Sequence, residues 1–151
     1  MQKTEPAREF QLPLRVYIED TDAGGIVYYV NYLKFMERGR TELMRSLGYD
    51  KPAILDEGRL LVVHSAQVNY RKPARLDEQL IATAAFAKLS GTSVVFHQRI
   101  LRLNEQGQNG GEELLCEGNI KVACVTADSM RPTAIPEEMR VAIANYLESE
   151  A

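Results

Sequence analysis

The sequence predicts an α+β fold in which one long helix is embraced by a curved antiparallel sheet, and three observations carry this reading. Through "VNYLKFMERGRTELMRSLGYD", residues 30–50, apolar side chains recur at helical spacing as Tyr32/Leu33, Phe35/Met36, Leu43/Met44 and Leu47. From residue 60 the apolar period becomes two and stays so through several long segments. The polar turn Ser90-Gly91-Thr92 joins two of those segments tightly, which makes them an antiparallel hairpin. A single early helix followed by consecutive strands must cover one face of their sheet.

In chain order, "LPLRVYIED" alternates as a first strand that ends at the aspartates. The helix follows, with Asn31 as a candidate N-cap and Gly48 where a left-handed C-cap belongs. Gly39 interrupts it at a cost of roughly 1 kcal/mol relative to alanine, so a close backbone contact is expected there. "LLVVHSAQVNY" places Leu60, Val62, His64, Ala66, Val68 and Tyr70 on one side. "EQLIATAAFAKL" and "SVVFHQRILRL" form the hairpin, and "NEQGQNGGEE" reads as a solvated loop. In the last strand Leu114, Cys116, Ile120, Val122 and Cys124 share a face, and "IPEEMRVAIANYLESE" closes as a short helix with Pro136 near its start.

The 151 residues suit one domain over 1–151, with a core at about 12–135 before the terminal helix. A composition of 45% apolar and 26% charged residues is that of an ordinary soluble protein. A formal charge of -3 argues against nucleic acid as main partner. No apolar run approaches membrane-spanning length and "MQKTEPAREFQLP" has no hydrophobic signal core, so a cytoplasmic protein without membrane insertion is expected. A sheet this long with one helix on it leaves an edge and an apolar surface, which favours a homo-oligomer. Cys124 lies eight strand positions after Cys116, a span of roughly 26 Å against the ~4.4–6.8 Å of a disulfide, so two reduced core thiols are expected.

The stretch "EDTDAGGIVYYVNYLKF" concentrates the chemistry. Read as a calcium loop starting at Asp20, it has Asp22 at the third position and Gly25 at the sixth, but Gly24 and Asn31 stand where the fifth and twelfth ligands belong. The alternative is a site for attack on a carbonyl. Glycines after Asp22, Gly25 among them, let the chain turn tightly and bare its N–H groups to a ligand, and the helix that follows aims its free amides into the same space. A carboxylate there attacks or activates water, and the amides receive the developing oxyanion.

At these residues the sequence resembles the hotdog-fold acyl-CoA thioesterases of the 4-hydroxybenzoyl-CoA thioesterase superfamily, most nearly those associated with the bacterial Tol–Pal envelope system. The matching stretches are "RVYIEDTDAGGIVYYVNYLKFMERGRTE", "KPARLDE", "GTSVVFHQRI" and "VACV", with a looser match at "MRPTAIP". The resemblance implies hydrolysis of acyl-CoA, or of an acyl carrier protein thioester, without metal or redox cofactor, by a dimer or tetramer. It implies that Asp22 is the catalytic base or nucleophile and that the backbone amide of Tyr29 polarises the carbonyl. Many Tol–Pal-type members carry histidine at that position; a backbone role survives the change to tyrosine, and a histidine side-chain role does not.

Other residues have a functional and a bland reading side by side. Asp22 can serve simply as a turn cap, and Asp20 reads as a structural turn partner. Glu37 and Arg40 can be a helix-surface pair, although another hotdog branch uses a helical carboxylate as base. His64 reads as a core or interface histidine, or as a pocket residue near the thioester, and His97 has less to recommend it. Tyr28, Tyr29 and Tyr32 pack around the helix start and can line an acyl pocket. Arg71, Lys72 and Arg75 form a basic turn suited to the phosphates of coenzyme A, or a solvated strand end. Ser90, Thr92 and Ser93 offer hydroxyls to a pantetheine arm. Neither GxxxxGK[ST] nor GxGxxG is present, so nucleotide hydrolysis and hydride transfer have no support. The rivals are a hotdog hydratase or dehydratase working through His64, and a non-catalytic acyl-thioester-binding or envelope adaptor.

Overall fold

A computed structural model describes residues 8–51, 53–56, 58–103 and 111–149. The expected glycine-rich loop lies mostly outside the described residues, as does the polar start of the chain. The elements are β1 (Phe10–Arg15), α1 (Val30–Ser46), β2 (Arg59–Tyr70), β3 (Gln79–Leu89), β4 (Ser93–Leu103), β5 (Glu112–Thr126) and α2 (Glu137–Glu148). The strands form one antiparallel sheet in the order β1-β3-β4-β5-β2, so the two strands that flank α1 in sequence become the two edges. This is the hotdog arrangement: α1 lies in the sheet's concave face across β3, β4 and β1.

The core explains why α1 is helical where it is. Phe35, Met36, Leu43 and Met44 are all buried and meet Ala82, Ala84 and Phe86 of β3, Phe96 and Ile100 of β4, and Ile120 and Val122 of β5. Gly39 is the point of closest approach. A Cβ there would stand 3.4 Å from Gln98 Nε2, 3.5 Å from the Thr83 carbonyl oxygen and 3.6 Å from Ala82 Cβ, which is ordinary contact, so a methyl group just fits and any longer side chain would press into β3 and β4. Gly48 ends the helix at φ +104° as expected, with its amide donating to the Arg45 carbonyl at 2.9 Å.

Four local expectations change. The first strand stops at Arg15, and Ile18–Asp20 form a 3-10 turn because the Asp20 carboxylate accepts the Tyr17 amide at 2.9 Å. The N-cap is Tyr29, not Asn31. Asn31 sits inside the helix with its side-chain amide donating to the Asp20 carbonyl at 2.8 Å.

In β2 a bulge between Val63 and Ser65 adds one residue, and one residue inverts the alternation. Leu61 and Val63 therefore pair with Cys124 and Val122 on the helix side, whereas the expected face holds only from Ala66 onward. In β5 a register shift leaves Leu114 partly exposed and buries Leu115.

Cys116 and Cys124 are unbridged and buried. Desolvation pushes the Cys116 thiol up from 9.0 to about 12, with Glu117 adding to the effect. At pH 8 neither thiol reacts with a disulfide reagent until the protein unfolds, and titrating thiols with and without denaturant checks this. The raised Cys116 value favours the folded state fully below pH 9, and that contribution is lost as pH climbs from 9 towards 12.

Candidate active site

The loop ahead of α1 is built mainly from backbone hydrogen bonds. Thr21 bridges Val27, the Asp22 amide donates to the Ile26 carbonyl at 3.0 Å, and the Gly25 amide donates back to the Asp22 carbonyl at 3.0 Å. Gly25 adopts φ +77°, which any other L-residue tolerates poorly. Val27 donates to Ala74 at 2.9 Å and Leu76 donates to Gly25 at 3.1 Å, so the loop is stitched to the β2–β3 connection that carries Arg71, Lys72 and Arg75.

Asp22 is exposed on this turn. Its Oδ1 accepts the Gly24 amide at 3.0 Å, the capping role weighed above, and Oδ2 has no partner among the described residues. No cation pairs with it among those residues. Asp20, in contrast, is buried and fully engaged: its carboxylate holds Tyr17, and its carbonyl accepts the Tyr28 amide and the Asn31 side chain. The two aspartates are thus separated into one structural and one open group.

At the helix start, Tyr29 has no side-chain cap and the first turn contains no acid. The Asn31 and Tyr32 amides donate to the Tyr28 and Tyr29 carbonyls, but the amides of Tyr29 and Val30 find no acceptor among the described residues. Uncapped donors at the positive end of a 17-residue helix suit an oxyanion.

Beside them lies a groove of about 280 Å³ lined by Tyr29, Tyr32, Tyr70, Arg71 and Lys72 among others. Its aromatic wall is braced by the Tyr29–Tyr70 edge contact (5.8 Å between centroids) and by the Tyr32 hydroxyl accepting the Ala74 amide at 2.9 Å.

The basic turn is present but internally paired. Arg71 contacts Glu117 at 2.7 Å, and Lys72 contacts Glu113 at 2.6 Å. Arg102 links Glu113 to Glu78, and Lys72 and Arg102 together hold the Glu113 carboxyl below its usual range. Ion pairs this open to solvent are weak, so a phosphate can displace those of Arg71 and Lys72. The Arg75 guanidinium has no partner among the described residues.

Other expected site residues are not gathered here. Ser90 and Thr92 lie at the opposite end of β3, roughly 30 Å away along an extended strand. There Ser90 Oγ is bonded to Ser93 Oγ at 2.7 Å and its carbonyl accepts Arg140 of α2. His64 sits exposed at the β2 bulge, not in the core, and His97 Nδ1 contacts Asn119 at 3.1 Å on the other sheet face.

Glu37 and Arg40 form no ion pair among the described residues; both line a larger cavity of about 340 Å³ between α1 and β2. Arg40 is partly buried there, a fact the helical spacing alone concealed. Its nearest sequence signals are the adjacent Gly39 and the inward register of Gln98. No cluster of three or more metal-ligating side chains occurs among the described residues.

A helix held in a concave antiparallel sheet, with a carboxylate that keeps one oxygen free on the glycine turn before it, defines a hotdog-fold protein. The profile of the 4HBT thioesterase superfamily matches residues 24–107, and the chain belongs to that superfamily. It is 38% identical over 134 residues to the acyl-CoA thioesterase YbgC of Haemophilus influenzae, covering 88% of this chain and 93% of the relative. It is 41% identical over 130 residues to the acyl-CoA thioester hydrolase YbgC of Escherichia coli O6:H1, covering 86% and 92%. Among solved structures, a probable thioesterase from Bartonella henselae superposes with a TM-score of 0.70 at 30% identity, covering 87% of this chain and all of that one. A DHNA-CoA thioesterase from Staphylococcus aureus, with a TM-score of 0.79 at 20% identity over 91% and 90% of the two chains, shares the fold.

Proposed function

We propose that this chain hydrolyses acyl-CoA thioesters to a carboxylic acid and free coenzyme A. The observation that carries the proposal is the pairing of Asp22, exposed with one oxygen uncommitted, with the open Tyr29 and Val30 amides on the same loop. The thioester carbonyl oxygen accepts from those amides. The Asp22 carboxylate then either takes a proton from water as it attacks the carbonyl carbon or attacks that carbon itself. The C–S bond breaks, the thiolate takes up a proton, and water supplies the new acid oxygen. No metal or redox cofactor enters this sequence. The similar YbgC proteins support the substrate class.

The groove by Tyr29 and Tyr70 suits the arm of coenzyme A, with Arg71, Lys72 and Arg75 placed for its phosphates; an acyl carrier protein is the alternative donor. Beyond Leu61, where the Ala53–Leu55 segment stops covering it, edge strand β2 has no further strand beside it among the described residues and carries exposed Val63 and Tyr70, so pairing with a second copy into a dimer, and of dimers into a tetramer, fits this edge. No described helix is long and apolar enough to cross a membrane. We place the enzyme in the cytoplasm, acting for the Tol–Pal envelope system as its resemblance implies.

Thiol release across a series of acyl-CoAs tests the proposal, with sedimentation of the same sample reporting assembly. Turnover of at least part of the series is expected, from a species larger than one chain. Tight acyl-CoA binding without thiol release would make the chain an adaptor, and hydration of an enoyl-CoA without thiol release would make it a hydratase.

A further inference from the structure

The larger cavity is lined by two cations that the reaction above does not use, Arg40 on α1 and Lys51 in the loop after it. Glu37, Arg40, Thr41 and Met44 follow one another at helical spacing along α1 and face Leu61 and Val63 of β2 across it. Its volume of about 340 Å³ lies within the range of small-molecule sites, and its walls are mostly apolar. Other arginines of this helix are committed elsewhere: Arg45 pairs with Glu42 at 3.1 Å, and Arg38 lies over the Phe35 ring. Arg40 contacts no carboxylate among the described residues. Its one bond there is to Gln98 Oε1, at 3.3 Å.

The orientation of that bond is forced. Gln98 is wholly buried, and its Nε2 donates to the Met36 carbonyl at 2.7 Å and the Thr83 carbonyl at 3.1 Å. Both donors being used, the amide cannot flip without setting its oxygen against two carbonyls, so Oε1 points at Arg40. Burial lowers the Arg40 pKa while Glu37 acts in the opposite direction. A guanidinium has more N–H donors than one neutral acceptor can satisfy, and no Arg40 nitrogen is buried without a partner among the described residues, so the remaining donors face the open cavity, where a ligand can meet them.

We propose that Arg40 is a specificity-determining residue that selects thioesters whose acyl group carries a hydrogen-bond-accepting oxygen, as hydroxyl, keto or carboxylate, towards its distal end. This rests on the thioesterase reading of the Asp22 loop. Helical side chains lean towards the N-terminus, so Arg40 reaches back along α1 in the direction of Tyr29. The eleven helical steps between them span roughly 16 Å, so the favoured oxygen lies on the order of 10 Å from the thioester carbon. Short acyl groups do not reach it.

The test uses matched CoA thioesters of equal chain length, with and without an ω-hydroxyl or ω-carboxylate, on wild type and Arg40→Met. Methionine keeps an apolar stem of similar reach and removes the donors. Wild type is expected to favour the oxygenated member by about tenfold or more in kcat/KM, and the variant to bring the ratio close to one, chiefly through KM. A wild-type ratio near one, or a ratio that survives the substitution, overturns the proposal while leaving thioester hydrolysis standing. Failure to hydrolyse any member of the acyl-CoA series overturns the function itself. If Arg40→Met does not fold, the wild-type ratio alone decides.

Discussion

Asp22→Asn lowers acyl-CoA turnover by about 100- to 10,000-fold without loosening the fold, the range expected for removing a positioned base. Asparagine keeps an oxygen where Asp22 Oδ1 accepts the Gly24 amide, so the turn is retained. What disappears is the charge and the proton-accepting oxygen. Asp22→Ala separates the two roles, since it also removes the turn's bond to the Gly24 amide and so lowers stability slightly in addition to the lost activity. Thiol-release rates and melting curves on the three proteins check this. Wild-type turnover by Asp22→Asn would reduce Asp22 to the turn cap that its bond to Gly24 also describes.

Gly118→Ala is the variant expected to damage the fold most. Gly118 pairs with Val68 of β2 and Gln98 of β4, in the middle of β5. A Cβ there would collide with the Gln67 carbonyl oxygen and lie 3.0 Å from Val68 Cγ2 and 3.1 Å from Val68 Cα. Two of those atoms are backbone, so a strand must move, not merely a rotamer. A loss of about 1–3 kcal/mol follows, and for a chain of this size a fall in Tm of roughly 3–10 °C. Because β2 leads directly into Tyr70, Arg71 and Lys72, KM for acyl-CoA rises as well. Gly91→Ala, at a hairpin position with nothing within 4 Å, is the control and melts close to wild type. Equal melting of the two variants would mean that β2 does not press on Gly118.

Local chemistry made the Asp22 loop readable in advance. Glycines, a carboxylate and a helix start lie within ten residues, and short-range hydrogen bonds shape the turn itself, while its anchoring to Ala74 and Leu76 is long-range. Gly39 was readable for a similar reason, since a glycine costs stability inside an exposed helix and has to be repaid by a neighbour. The β2 face was only half readable: strict alternation predicts one side, but the bulge at His64 is set by pairing with β5, more than fifty residues later. The partial burial of Arg40 is not legible in the helical spacing, which equally allows a helix-surface pair with Glu37, because it depends on sheet curvature and on Gln98, a side chain 58 positions away. Ser90 and Thr92 were matched to the substrate by residue type, yet only the topology says which end of the sheet a hairpin occupies.

Gln98 and Gly39 together act as a peg and a notch. The peg reaches a carbonyl in the middle of α1, and the notch admits it at one azimuth of the helix only. A slip of one residue would swing the gap by about 100° and drive a side chain into β3. The helix is therefore indexed like a key in a ward, and the position of its leading amides is dictated from the interior of the sheet.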